Sequence, residues 1–219
     1  MTAIFAPYKE IASTVARFAS SDGEFETPID GLFFSRRSGP TRPVYVAQYP
    51  TFALVAQGRK NLTLGADVLE YGVGDYLVIS LDVPVVSRVT QASSECPNLG
   101  IGMTIRREAL HSVIDRVGMA RIAAPSATRS VAVNKASPEL LDATIRLLRL
   151  LDSPEDIKAM APLLEQEILY RLMTGPDGPR LLQMAIADSS SSQIAKAVHW
   201  LRGNFSQPYG LMTSPIVSE

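Results

Sequence analysis

The chain has 219 residues, of which 46% are hydrophobic and 20% charged, and its formal net charge is −1. These values are typical of a globular protein and argue against a disordered one. A protein that binds nucleic acid by itself usually carries a clear excess of basic residues. This chain has 21 Lys and Arg against 22 Asp and Glu, so we do not expect it to bind DNA by itself.

The first predicted element is a short amphipathic helix at residues 8–19, with Ile11, Val15 and Phe18 on one face. Nine short strands follow, separated by Gly, Pro and Asn turns, at residues 24–28, 32–36, 44–49, 52–56, 60–64, 68–71, 75–80, 85–90 and 99–105. No helical pattern lies between these strands, which excludes a dinucleotide-binding α/β fold and favours a sandwich or barrel.

After residue 105 the periodicity becomes helical. Ser137-Pro138-Glu139 indicates a helix start, because Ser can cap, Pro fits the first turn and Glu suits the positive end of the helix dipole. The same signature recurs at Ser153, and we expect Pro162 to kink or restart that helix. The predicted helices are 106–117, 138–151, the one that follows Ser153 and runs to 173, 181–187 and 193–204. The serine run at 188–192 resembles an interdomain linker.

The sequence therefore predicts an α+β fold in three regions. Residues 1–105 form a helix and a small β-barrel, residues 106–187 form a helical region, and residues 188–219 form a linker and a last helix.

Residues that could carry catalysis are scarce. The only histidines, His111 and His199, lie in predicted helices, whereas a metal site in the barrel would need two or three imidazoles on the strands. Cys96 lies in a turn with no histidine near it in sequence, so a chance loop cysteine is favoured over a nucleophile. We expect no enzyme activity, no metal and no cofactor.

The compartment follows from the same residues. A single cysteine cannot form an internal disulfide, so nothing indicates an oxidising compartment. The start of the chain lacks a basic and a long apolar region, and no apolar run approaches the roughly 18 residues of a membrane span. We expect a cytoplasmic protein without a membrane segment.

A barrel lining of aromatic and aliphatic side chains predicts a small-molecule site. Strand alternation places Tyr45 with Tyr49, Phe52 with Leu54, and Tyr76 with Val78. The predicted ligand-binding residues in the barrel interior are Tyr45, Tyr49, Phe52, Leu54, Tyr76, Val78 and Arg88. Two alternatives stay open: the same residues can fill a solid core, and Arg88 can lie exposed at a strand edge instead of pairing with an anionic group.

The helix at 138–151 predicts self-association. Its apolar residues cover an arc of roughly 220°, whereas one contact with the barrel needs about 100°. The surplus has to pack against the helix at 162–173 or against a second subunit. The predicted dimerisation residues are Leu140, Leu147, Leu150 and Leu151.

A series of motifs resembles a known family over residues 8–208. The matching runs are Glu24-Phe25-Glu26-Thr27-Pro28-Ile29-Asp30-Gly31-Leu32, Gln57-Gly58-Arg59-Lys60, Tyr71-Gly72-Val73-Gly74-Asp75-Tyr76-Leu77, Ser80-Leu81-Asp82-Val83-Pro84-Val85, Leu150-Leu151-Asp152-Ser153-Pro154-Glu155-Asp156 and Glu167-Ile168-Leu169-Tyr170-Arg171-Leu172. Together they resemble the N-terminal domain of AraC-type bacterial transcription regulators.

The resemblance implies a cupin-like barrel of the double-stranded β-helix type that senses an unknown effector, and helices that form a homodimer. It also implies that DNA is read by a C-terminal pair of helix-turn-helix units. The helix at 193–204 resembles the start of that half, but after Pro208 the pattern is lost and both recognition helices are missing. We therefore expect this chain to act on DNA only when joined to that domain.

Two other functions remain open from the sequence. One is a metal-independent cupin enzyme, against which the lack of barrel histidines weighs. The other is a short decoy that pairs with full-length regulators and inactivates them.

Overall fold

The computed structural model describes residues 6–80, 83–118 and 130–186, and for 46–48 and 83 it describes the backbone alone. The strands are β1 (Gly23–Glu26), β2 (Leu32–Arg37), β3 (Val44–Gln48), β4 (Thr51–Gln57), β5 (Arg59–Leu64), β6 (Asp67–Gly72), β7 (Asp75–Ile79), β8 (Val83–Gln91), β9 (Asn98–Thr104) and β10 (Val131–Lys135). The helices are α1 (Ala6–Phe18), α2 (Arg107–Val117), α3 (Pro138–Arg149), α4 (Pro154–Met173) and a segment at 178–185, here α5; the 3-10 turn Leu150–Asp152 joins α3 to α4.

The chain divides into two compact units. Met1–Ala185 contains all of the elements above. Ile186–Glu219 lies outside the described residues except for Ile186, and with it the predicted linker, the predicted helix at 193–204 and His199.

The strands form two antiparallel sheets. One has six strands in the order β1-β2-β9-β4-β7-β10, and the other has four in the order β3-β8-β5-β6. The α+β class with antiparallel sheets is therefore confirmed. The closed barrel that the sequence predicted is not formed by the described strands, because no ladder joins the edges of the two sheets.

The six-stranded sheet is buried on both faces. One face packs against α1, and its buried side chains join those of α3 and α4 in the larger hydrophobic core. The other face turns toward the four-stranded sheet and forms a second, smaller core. A strand in such a layer is apolar on both sides, which makes its two faces alike in sequence.

Most predicted elements are confirmed. All nine predicted strands are present as β1–β9, and Ser137 caps α3 by accepting a hydrogen bond from the Leu140 backbone N–H at 3.2 Å. Strand β10 escaped prediction, because its five residues stand alone between helical patterns and pair with the distant β7. Of the kink or restart predicted at Pro162, the restart is wrong, because α4 continues through this residue. Pro162 and Lys158, whose carbonyl loses its helical partner, are both exposed.

Helix α1 is fixed to the body mainly by its apolar face. Ile11 and Val15 are completely buried against the larger core. At the rim, Arg17 pairs with Asp152 at 2.8 Å and Arg149 pairs with Glu10 at 2.7 Å. These exposed ion pairs set orientation more than stability, because solvent screens them.

Candidate ligand-binding site

The layer between the sheets is packed with apolar side chains at one end. Val55, Leu77, Ile79 and Val131 of the six-stranded sheet meet Leu62, Tyr71 and Val85 of the four-stranded sheet, and all seven are buried. Strand β6 lies across β4, β7 and β10 and covers this end. No space for a ligand is expected where side chains interdigitate in this way.

Farther along this face of the six-stranded sheet, toward β2, strand β9 has glycines in place of larger side chains. On β9 the residues with this orientation are Gly100 and Gly102, and on the neighbouring β2 they are Phe33 and Ser35. A Cβ at Gly102 would overlap the Phe33 ring, so this glycine is what allows the ring to lie flat across β9.

A cavity of about 630 Å³ lies beside β1, the turn that joins it to β2, and the ends of β4 and β9. Its lining consists of Glu24, Phe25, Glu26, Thr27, Ile29, Asp30, Gly31, Leu32, Phe33, Tyr49, Thr51 and Thr104. The volume lies within the range of about 300–1,000 Å³ that is typical of small-molecule sites. Aromatic faces, hydroxyls and carboxylates together can hold and orient a small organic molecule.

Carboxylates dominate the charge of the cavity wall. Glu24 and Glu26 alternate on β1 and point the same way, and Asp30 lies in the turn between β1 and β2. Deeper in the layer, burial lowers the pKa of the Lys60 amine, while the nearby Glu24 carboxylate raises it and the charge of Arg37 lowers it further.

Arg106 connects the cavity wall to the helices. Its guanidinium pairs with Asp30 on one side and with Glu165 of α4 on the other. Burial raises the pKa of Glu165, and the contact with Arg106 opposes this shift. Because Arg106 immediately precedes α2, the pairing ties the β1–β2 turn to both α2 and α4.

Four of the predicted ligand-binding residues lie on the wrong side of the sheet for this cavity. Phe52, Leu54, Tyr76 and Val78 are buried, but they belong to the larger core against the helices. On the adjacent strands β4 and β7, Phe52 lies opposite Val78 and Leu54 opposite Tyr76. The assignment of that face to the barrel interior is corrected: both faces of β4 and β7 are apolar, and alternation alone does not tell which layer each one enters.

The other three predicted residues have exposed side chains. Tyr45 is 84% exposed and Arg88 is exposed, and both alternate with residues that face the other sheet, so their predicted interior placement is corrected. For Arg88 the exposed alternative applies. Tyr49 is 69% exposed but lies at the cavity rim, where it contributes to the lining.

The predicted dimerisation residues are occupied within the subunit. Leu140, Leu147 and Leu151 are buried in the larger core, and Leu150 is partly buried against it. Helix α3 contacts α1 on one side and α4 on the other, and these two neighbours account for its wide apolar arc. The argument for a second subunit from this arc is therefore corrected.

A buried polar cluster joins the far edge of the six-stranded sheet to α5. Asp177, which is completely buried, accepts hydrogen bonds from the Tyr76 hydroxyl and from Asn134 Nδ2, the latter at 3.0 Å, and pairs with Arg180 at 2.9 Å. Burial raises the pKa values of both Tyr76 and Asp177. This cluster fixes the start of α5 against β7 and β10.

Sequence reasoning missed Glu24, Glu26, Phe33 and Arg106 as site residues. A signal for the first two exists, because two carboxylates that alternate on one face of a strand do not fit an apolar barrel lining. The roles of Phe33 and Arg106 depend on partners far along the chain and have no local signal.

Within the described residues, no three His, Cys, Asp or Glu side chains lie close enough together to hold a metal ion. None of the helices there is long and apolar enough to cross a bilayer.

Residues 28–180 match the family described as the AraC-type transcriptional regulator N-terminus. No curated protein sequence matches the chain significantly.

Similar folds occur among solved structures. ToxT from Vibrio cholerae bound to (E)-4-(8-methylnaphthalen-1-yl)but-3-enoic acid has a TM-score of 0.46 and 10% identity, over 64% of this chain and 54% of that one. ToxT bound to an unsaturated fatty acid has a TM-score of 0.45 and 8% identity, over 66% and 52%. The AraC-like transcriptional activator CuxR has a TM-score of 0.38 and 17% identity, over 64% and 52%. The chain thus matches about half the length of these proteins.

Proposed function

Since the chain belongs to the family of AraC-type transcriptional regulators, we propose that it binds a small-molecule effector beside β1 and the β1–β2 turn and thereby controls transcription. The observation that carries this proposal is the cavity of about 630 Å³ at this end of the six-stranded sheet. We place the effector there and not among Phe52, Leu54, Tyr76 and Val78, whose side chains are already packed against the helices.

Arg106 is the residue through which an effector can act on the helices. The Arg106 guanidinium pairs with Asp30 and with Glu165 of α4. An effector that contacts Asp30 competes with Arg106 for this carboxylate and so alters the guanidinium that holds Glu165. A ligand shifts a conformational equilibrium only by binding one state better than another, and a shared guanidinium provides such a difference. The predicted output is a changed position of α2 and α4.

Homodimerisation, DNA binding through a C-terminal helix-turn-helix region and a cytoplasmic location remain part of the proposal, as does a cupin-like relationship of the sheets. For the dimer we propose the outer face of α4 in place of α3. Its Met160 and Leu163 are 42% and 53% exposed, whereas the leucines of α3 are used within the subunit.

The first test combines native mass spectrometry with a cavity-filling substitution. Thr104 lines the cavity, so Thr104→Trp is expected to occupy it, whereas Thr63→Trp on β5 adds the same ring outside it. We expect the wild-type chain and Thr63→Trp to retain a small molecule, or to gain thermal stability from a metabolite extract, and Thr104→Trp to do neither.

The proposed site would be contradicted if Thr104→Trp still retained the small molecule, or if no extract fraction raised the thermal stability of the wild-type chain. Circular dichroism and the smaller Thr104→Phe variant separate a filled cavity from a misfolded chain. The same mass spectra report the number of subunits.

A further inference from the structure

The three carboxylates of the cavity wall differ in how they are neutralised. Asp30 pairs with Arg106, and Glu24 lies close enough to the Lys60 amine to raise its pKa. Glu26 lies beyond Glu24 on the same face of β1, and its carboxylate makes no hydrogen bond or ion pair with the residues that the structure describes. Among the described residues that line the cavity there is no Lys, Arg or His.

Aromatic groups stand beside these carboxylates. The Phe33 ring lies across Gly102, and Phe33 is the strand partner of Glu26. Tyr49 adds a second aromatic ring at the rim. Aromatic faces and carboxylates both attract cations, and together they form the usual recognition site of organic ammonium groups.

From this wall we infer that the effector of the proposed site is an organic cation, a protonated amine or quaternary ammonium with an apolar or aromatic body, and that Glu26 binds its charged group. The inference rests on the proposed function, because it concerns the same cavity. An anionic ligand is disfavoured there, since its charge would face three carboxylates with Arg106 already shared with Glu165. It also differs from the anionic partner that Arg88 suggested from sequence, because Arg88 lies on the outer face of its sheet.

Three probes of similar shape and different charge test the inference on the full chain by isothermal titration calorimetry. They are 3-phenylpropylamine, 3-phenylpropan-1-ol and 3-phenylpropanoate. We expect the amine to bind best, and Glu26→Gln to weaken it about fivefold, as expected for one solvent-accessible charge pair, while leaving the alcohol unchanged. The control Glu95→Gln removes the same charge from an exposed loop residue outside this cavity and should change neither.

Equal or tighter binding of the carboxylate overturns the inference, as does amine binding that Glu26→Gln does not weaken, or no binding of the amine up to its solubility. In each case Thr104→Trp tests the cavity independently of the ligand class. If this variant abolishes binding of the alcohol, or the response to the extract, the proposed site stands and only the assignment of an organic cation fails.

Discussion

Gly58 and Gly65 have left-handed backbones in very different surroundings. Their φ angles are +80° and +59°. A Cβ at Gly58 would overlap the carbonyl of Gln91, the last residue of β8, and crowd Asn98, the first residue of β9. A Cβ at Gly65 would meet nothing within 4 Å. The same substitution therefore separates backbone strain from steric overlap.

We predict that Gly65→Ala costs about 1 kcal/mol of unfolding free energy, from backbone strain alone. Gly58→Ala is expected to cost about 3 kcal/mol, because a backbone carbonyl has to move as well. Urea denaturation of both variants measures the difference. Equal losses would show that the chain at Gln91 shifts freely and that the overlap is unimportant.

At the residue scale, polarity was readable from sequence and orientation was not. Phe52 and Tyr76 are buried, as their character predicts, but Thr51-Phe52-Ala53-Leu54-Val55 reads alike on both faces. Tyr45 shows the converse, because an aromatic residue in an alternating strand was assigned inward and is exposed. The position of Phe33 in the cavity wall depends on Gly102 lying beside it on β9, and that is decided by pairing across the chain.

At the scale of the element, the sequence indicated that α3 has surplus apolar surface, but in the structure α4, not α3, has large apolar side chains exposed. Helix α3 has the wider apolar arc, but α1 and α4 cover it. Helix α4 keeps Met160 and Leu163 exposed, beside a small cavity of about 240 Å³ that Leu163, Val113 and Tyr170 help to line. Exposed apolar side chains next to a groove are a more direct sign of a partner than the composition of a helix.

We predict that Leu163→Glu reduces the dimer fraction, because it places a charge in the proposed interface, and leaves the folding of the subunit intact. Size-exclusion chromatography with light scattering measures the mass. Val68→Glu, a similar change at an exposed residue of β6, should have no effect on it. Dimers that persist in Leu163→Glu, or a monomeric wild-type chain, would contradict the role of α4.

At the scale of the whole molecule, buried tyrosines predict the response to alkaline pH. Burial, and next the charge of Asp75, raise the pKa of Tyr8 to about 12 from an ordinary value of 10.0. Burial also raises the pKa values of Tyr71 and Tyr76. Above pH 10 the unfolded chain therefore releases protons that the folded chain retains, so stability is full below the unfolded pKa and is lost as the pH rises toward the folded one.

We expect the urea midpoint to fall as the pH rises from 10 toward 12. Tyr8→Phe should reduce this fall, because it removes a shift worth about 2–3 kcal/mol at most. Tyr45→Phe serves as the control, because its ring is exposed. An unchanged pH dependence in Tyr8→Phe would show that Tyr8 ionises without unfolding.

For the whole molecule, the sequence predicted the class and the order of elements, and the family match supports its identification. It did not predict that the sheets stay separate. Closure of two sheets into a barrel requires hydrogen-bonded ladders between their edge strands. The sequence of a single edge strand, such as β3 or β10, does not indicate whether its outer edge is paired.

The position of β9 has a consequence for synthesis of the chain. Asn98–Thr104 lies between β2 and β4, so the β1–β2 pair and the β4–β7 pair cannot be joined into one sheet until β9 has been made. The β5–β6 hairpin can form early, while the six-stranded sheet waits for a closure over a long stretch of sequence. Nascent chains that end before β9 expose the unpaired edges of β2 and β4 and are the forms most exposed to aggregation on the ribosome.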